Sequence, residues 1–329
     1  MNENNEKNLI LDVSNLSVRF FERKKEGKAV DNISFSVEKG KILGIVGESG
    51  SGKSVTVMSV LGLLSGRNVE IEADYINFCG ESIMGLKRKE MQKIRGKRIS
   101  MVFQEPMTSL NPALTIGEQI AETILQHEKT TKKQAIKRAK ELLDLVQIPL
   151  AEERLKEYPY QLSGGMRQRV MIAMALACNP ELIIADEPTT ALDVTIQSQI
   201  LELFKKLQRE LNVTIILITH DMGVIAETAD SVIVMYAGRI VESGTTEQIL
   251  NHPRHRYTKA LIKAIPKLNE EQQVLEAIPG NIPSIYSIPS GCNFHPRCPF
   301  ASQKCIENVP ELQLCDNRLV ACFNLYDTE

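Results

Sequence analysis

The sequence predicts an α/β fold built on parallel strands. The apolar run Lys41-Ile-Leu-Gly-Ile-Val46 ends in a glycine-rich turn and leads into residues with helical spacing, the front end of a βαβ unit. Further on, Leu182-Ile-Ile-Ala185 and the run from Val213 to Thr219 bracket a helical stretch at about 195–210. Strand–helix–strand alternation of this kind places parallel strands in one sheet. A third observation concerns the end of the chain. Only two of the seven cysteines, Cys79 and Cys178, precede residue 290, whereas Cys292, Cys298, Cys305, Cys315 and Cys322 crowd into the C-terminal tail.

Taken in order, Leu9-Ile-Leu-Asp-Val13 and Ile33-Ser-Phe-Ser-Val37 alternate in β fashion and are separated by the charged stretch ERKKEGK, read as a loop. A helix at about 53–64 follows the glycine-rich turn, with Val57, Val60, Leu61 and Leu64 on one face. Residues from about 88 to 178 read mostly helical. The stretches 116–126 and 132–146 carry apolar residues at i, i+3 and i+4 with Lys and Glu opposite, and together suggest an inserted helical subdomain. After about Ala264, Pro266, Pro279, Pro283 and Pro289 punctuate an irregular linker before the cysteine-rich tail. The expected domains are therefore 1–264 and 265–329.

Composition narrows the class. With 329 residues, 43% of them hydrophobic and 24% charged, the chain is neither collagen-like, disordered nor coiled-coil. Lys and Arg number 39 against 41 Asp and Glu, a formal charge of −2, so no global field points to nucleic acid or to an anionic membrane. No apolar run approaches the ~18–20 residues of a membrane span. The polar start MNENNEKNLI lacks the pattern of a secretory signal. A cytosolic chain is expected, with any membrane role reached through a partner. In a reducing compartment the cysteine cluster reads as metal binding rather than as disulfides.

Gly47-Glu-Ser-Gly-Ser-Gly-Lys-Ser54 matches the phosphate-loop pattern G-x-x-x-x-G-K-[ST] at every fixed position. Its backbone N–H groups would surround phosphate oxygens and the helix start would add partial positive charge. Gly47, Ser49, Gly50, Ser51, Gly52, Lys53, Ser54 and Val55 are the predicted nucleotide contacts, with Lys53 on the β- and γ-phosphates and the Ser54 hydroxyl on Mg²⁺. The partner motif is an apolar strand ending in acids, Glu181-Leu-Ile-Ile-Ala-Asp186-Glu187. Asp186 would hold the Mg²⁺ shell and Glu187 would deprotonate the attacking water. Between them, Leu162-Ser-Gly-Gly-Met-Arg-Gln168 suggests a second anion-binding helix start.

The order of phosphate loop, Gln104, LSGGM, Asp186-Glu187, Ala191-Leu-Asp193 and His220 resembles that of ATP-binding-cassette (ABC) ATPases over about residues 9–250. The resemblance implies a P-loop NTPase: a RecA-like α/β core with an antiparallel β-subdomain and a helical subdomain, here followed by a small cysteine-rich extension. It also implies residue roles. Gln104 would sense Mg²⁺ and contact a membrane partner. Ser163, Gly164 and Gly165 would bind the γ-phosphate of ATP held by an opposite subunit, and Asp193 would cross that interface. His220 would contact the γ-phosphate, and Phe20, with Phe21 beside it, would stack on adenine. Met166 stands where many relatives have Gln.

Gln104-Glu-Pro-Met-Thr-Ser-Leu-Asn-Pro112, Gly291-Cys-Asn-Phe-His-Pro-Arg-Cys-Pro-Phe-Ala301 and Val320-Ala-Cys322 are similar to the oligopeptide/dipeptide permease branch of bacterial importers. By themselves, Cys292, Cys298, Cys305 and Cys322, separated by 5, 6 and 16 residues, suit an iron–sulfur cluster or zinc, and spacing does not choose between them. The branch resemblance implies a 4Fe-4S cluster on these four, with Cys315 outside it. It further implies a second, different ATPase subunit, two transmembrane permease subunits, an extracytoplasmic peptide-binding protein and a position at the cytoplasmic face of the membrane. Nickel or another small solute is the alternative cargo. A non-transport ABC ATPase acting on ribosomes or DNA is disfavoured by the single cassette and the near-neutral charge.

Overall fold

The computed structural model describes residues 8–23, 25–190, 192–264 and 278–326. They divide into two compact units. One takes the residues up to Glu38, Ile42–Met84 and those from Ile218 onward; the other takes Lys39–Lys41 and Gly85–Leu217.

The first unit opens with two long antiparallel strands, β1 (Leu9–Glu22) and β2 (Lys25–Glu38). The stretch ERKKEGK, expected to be a loop, is instead mostly strand: Glu22 pairs with Lys25, Phe21 with Glu26 and Phe20 with Gly27. The turn is made around Arg23, whose φ of 54° is left-handed. One charge of the stretch, Glu26, has a partner across the strands in Arg19 (3.3 Å), which also meets Glu70 and Glu72 at 3.0 and 2.9 Å. β3 (Ile42–Val46) is buried along its whole length and delivers the chain to α1 (Lys53–Val60). This helix is shorter than its apolar spacing suggests because Gly62 turns left-handed (φ 58°) just beyond it. β4 (Val69–Glu72) and β5 (Tyr75–Phe78) both pair antiparallel with β1, and β6 (Glu81–Ser82) pairs with β5.

The second unit is mainly helical: α2 (Arg88–Ile94), α3 (Pro106–Ser109), α4 (Ile116–His127), α5 (Lys132–Leu145), α6 (Ala151–Arg154), α7 (Gly164–Leu176) and α8 (Val194–Leu211). Thr115 with Glu118 and Thr131 with Gln134 form capping boxes that fix the starts of α4 and α5. Those helices bury Ile116, Ile120 and Ile124 on one and Ala135, Ala139 and Leu142 on the other. Strands β7 (Ile99–Val102) and β8 (Leu182–Asp186) run parallel, from Ile99 opposite Leu182 to Val102 opposite Ala185. The chain leaves this unit along β9 (Thr214–Thr219), every residue of which is buried.

The first unit then resumes with α9 (Met222–Thr228), β10 (Ser231–Tyr236), β11 (Arg239–Thr245), α10 (Thr246–Asn251), α11 (Arg256–Lys263), α12 (Gln303–Glu307), β12 (Gln313–Cys315) and β13 (Arg318–Val320). Its strands order as β12-β13-β11-β10-β3, with β10 parallel to β3 and the other pairs antiparallel. Beneath them lies a core of Val46, Ile225, Val232, Val234, Tyr236, Val241, Tyr257 and Phe294, against which Ile278, Ile282, Cys292 and Cys298 also pack. The C-terminal residues thus share the core of the strand that carries the phosphate loop. Among the described residues, no helix is long and apolar enough to cross a membrane.

Candidate nucleotide site

The phosphate loop joins β3 to α1 through glycines that nothing larger could replace. A Cβ on Gly47 would strike the Met235 carbonyl oxygen. Gly52, at φ 101°, caps α1 in a left-handed conformation with the Ala29 carbonyl oxygen where a Cβ would stand. Lys53 is buried at the first helical position, and its ammonium donates to the carbonyl oxygens of Gly47 (2.7 Å) and Glu48 (3.1 Å). The Ser51 amide also donates to the Glu48 carbonyl at 3.2 Å. Ser49, Gly50, Ser54 and Val55 complete the loop and the first turn of the helix. The result is a ring of backbone around a cationic side chain, which suits an oxyanion ligand.

His220 follows β9 and is exposed; the next residue, Asp221, caps α9 by accepting from the Gly223 amide at 2.7 Å. Phe20 is half-buried on β1, opposite Gly27 on β2 and Val69 on β4, whereas Phe21 is 40% exposed.

The second unit gathers three of the predicted residues at the C-terminal ends of its strands. Asp186 ends β8 and is buried. Glu187 follows with φ 46°, a left-handed backbone that a non-glycine residue adopts at a cost, and such strain concentrates at functional positions. Its carboxylate accepts from Gln104 Nε2 at 2.9 Å and from the Thr190 hydroxyl at 3.0 Å. Both bonds fall on the same oxygen, Oε2, and two donors on one oxygen give the carboxylate a fixed direction for taking a proton. Thr190 was not anticipated from the sequence; its place three residues after the acid was the only signal.

Ser163 caps α7, accepting from the Met166 amide at 3.3 Å, so the helix begins at the glycines and not after them. Gly165 is buried where a Cβ would meet Ile196 of α8, which gives this glycine a packing reason as well as an anion-binding one. Asp193 is exposed and caps α8 through the Ile196 amide at 2.9 Å. Ala191, which precedes it in the motif, lies outside the described residues.

Cys292, Cys298 and Cys322 lie close enough to Cys305 that its ionised thiol would raise the cost of ionising each of them, while Cys315 stands apart on β12. Burial pushes the Cys292 thiol up to about 11 and raises those of Cys298 and Cys322. Among the described residues, no group of three or more His, Cys, Asp or Glu side chains is arranged to hold a metal ion. The donor set has the right chemistry, but Cys292 and Cys298 pack against an apolar core and Cys305 Sγ lies 3.4 Å from the Ser302 hydroxyl. The expected iron–sulfur or zinc centre is thus not supported by the arrangement.

Comparison with known proteins places these features. The ABC transporter family matches residues 30–190, and the oligopeptide/dipeptide transporter C-terminal region matches residues 241–305. The chain is 50% identical over 97% of its length to the oligopeptide transport ATP-binding protein AppD of Bacillus subtilis, covering 98% of that protein. It is 48% identical over 95% of its length to the dipeptide transport ATP-binding protein DppD of Escherichia coli, covering 96% of it. Among solved structures, the dimeric bacterial ABC transporter cassette MJ0796 shares 30% identity and a TM-score of 0.64, over 72% of this chain and 98% of that one. A post-hydrolysis state of the same cassette, bound to ADP and Pi, gives a TM-score of 0.62. The chain belongs to the ABC transporter family, among the ATP-binding proteins of oligopeptide and dipeptide transport.

Proposed function

We propose that this chain is the ATP-hydrolysing subunit of an importer that takes up peptides, with residues 1–264 as the ATPase cassette and 265–329 as the family's C-terminal extension. In this reading the Lys53 ammonium and the loop amides hold the β- and γ-phosphates. The hard oxygen donors Ser54, Asp186 and Gln104 suit Mg²⁺, which when bound neutralises charge on the transferring phosphoryl group. Glu187 takes the proton of the attacking water, and His220 faces the γ-phosphate. Phe20 stacks on adenine. Ser163, Gly164, Gly165 and Asp193 serve the nucleotide of a second, related ATPase subunit. The remaining partners are two membrane permease subunits at the cytoplasmic face and an extracytoplasmic peptide-binding protein.

The observation that carries this reading is the Glu187 carboxylate, held by Gln104 and Thr190 on a strained backbone beside buried Asp186. General-base catalysis contributes ~10²–10⁴ in rate, so Glu187→Gln should bind MgATP normally and hydrolyse it at least ~100-fold more slowly. Near-normal turnover by that variant would remove Glu187 from the chemistry.

We further propose that the four gathered thiols ligate a 4Fe-4S cluster, with zinc the alternative; the soft four-thiol donor set supports this. Iron and acid-labile sulfide in anaerobically purified protein test it, and stoichiometric zinc or the absence of both metals overturns it.

A further inference from the structure

One charged contact in the first unit joins the cysteine-bearing segment to the phosphate loop. Arg297, between Cys292 and Cys298, reaches Glu48 with both terminal nitrogens, at 2.8 and 3.0 Å. Its side chain is only 5% exposed, and its remaining donors are taken by the carbonyls of Ile278 and Pro279 and by the Tyr236 hydroxyl. The turn that carries it is itself fixed. Phe294 packs edge-on against Tyr236 at 5.2 Å, and Asn293 donates to the Ala237 carbonyl at 2.9 Å. Arg297 therefore cannot swing away without disrupting the core.

Glu48 is the second residue of the phosphate loop, and all three of its polar groups are engaged. The amide donates to the Tyr257 hydroxyl at 2.9 Å, the carbonyl receives Lys53 and Ser51, and the carboxylate receives Arg297. A carboxylate in this position is a liability in a loop that must accept a polyanion, because like charges at short range in a partly desolvated site repel strongly. The bidentate guanidinium removes that charge and fixes its direction.

We propose that Arg297 is a positioning residue for nucleotide binding: by neutralising and orienting Glu48, the C-terminal segment sets the phosphate loop's affinity for MgATP. The inference rests on the reading of 47–54 as the nucleotide loop and adds to it a control from outside the cassette motifs.

The test is the equilibrium affinity of purified full-length chain for MgATP. Arg297→Gln keeps a polar donor but removes the charge and the guanidinium fork, and should weaken MgATP binding ten- to a hundred-fold. Arg297→Lys keeps the charge but not the two-pronged contact, and should weaken binding clearly less than Arg297→Gln. The double variant R297Q/E48Q removes both charges and should recover most of the loss in MgATP affinity. Arg297→Gln and Arg297→Lys binding alike, or no recovery in the double variant, overturns the proposal, as does a lower unfolding temperature with unchanged affinity. Lys53→Ala separates this failure from that of the underlying reading. If it binds MgATP as well as the unmodified chain, the loop is not the nucleotide site; if it abolishes binding while Arg297→Gln does not matter, only the present inference falls.

Discussion

Glu187 and Gln104 lie 83 positions apart and meet at 2.9 Å. Their residue types and the strands before them were legible in the sequence, because an apolar run ending in two acids has few other uses beside a phosphate loop. Their hydrogen bond was not, since it depends on the parallel pairing of β7 with β8. His255 went further unread. No motif surrounds it in the sequence, and it is 1% exposed with its Nδ1 accepting from the Tyr257 amide at 3.0 Å. That bond requires the neutral ring, and burial pulls its pKa down to about 3. The unfolded chain, with an ordinary histidine value near ~6.5, binds a proton that the folded chain refuses. Stability from this group is therefore full above about pH 6.5 and is lost as pH falls toward 3. Glu242, which accepts from the His255 amide and faces Arg318 at 3.6 Å, has its pKa raised by burial and opposes part of this slope. Urea unfolding across this range should show His255→Asn, which keeps an acceptor for the Tyr257 amide, losing less stability on acidification than the unmodified chain. Parallel curves would remove His255 as a source of acid sensitivity.

At the scale of elements, helix starts were read more accurately than strand ends. Apolar spacing placed helices at 116–126 and 132–146, and the structure starts α4 at Ile116 and α5 at Lys132, each behind a capping box. The stretch at 22–28 was misread because its local composition is that of a loop, whereas it is held in strand by pairing with residues 19–22 of β1. The phosphate loop offers a sharper prediction. Gly52→Ala places a methyl group against the Ala29 carbonyl at a φ of 101°, which should cost about 1–3 kcal/mol and lower MgATP affinity. Thermal unfolding without nucleotide separates the two effects, and an unchanged melting temperature would show that the loop can relax.

For the chain as a whole, the sequence was read as a cassette over 1–264 and a cysteine-rich extension over 265–329, whereas the C-terminal family match spans residues 241–305. What could not be read was its packing. Phe294 contacts Tyr236 and Tyr257 in the same core as Val46, the residue that leads into the phosphate loop, and pairings between positions so distant in sequence have no local signature. Phe294→Ala should therefore cost about 3–5 kcal/mol, seen as a lower urea midpoint for the probes of the phosphate-loop strand as well as for those of the C-terminal segment. Loss confined to the C-terminal probes would mean that the two do not share a core. The central claim, that ATP hydrolysis by this chain drives peptide uptake, is met most directly by transport in proteoliposomes holding the assembled complex, with ATP supplied on this chain's side and labelled peptide on the other. The account predicts ATP-dependent peptide accumulation that Glu187→Gln abolishes; ATP hydrolysis without peptide movement, or uptake unaffected by that substitution, would contradict it.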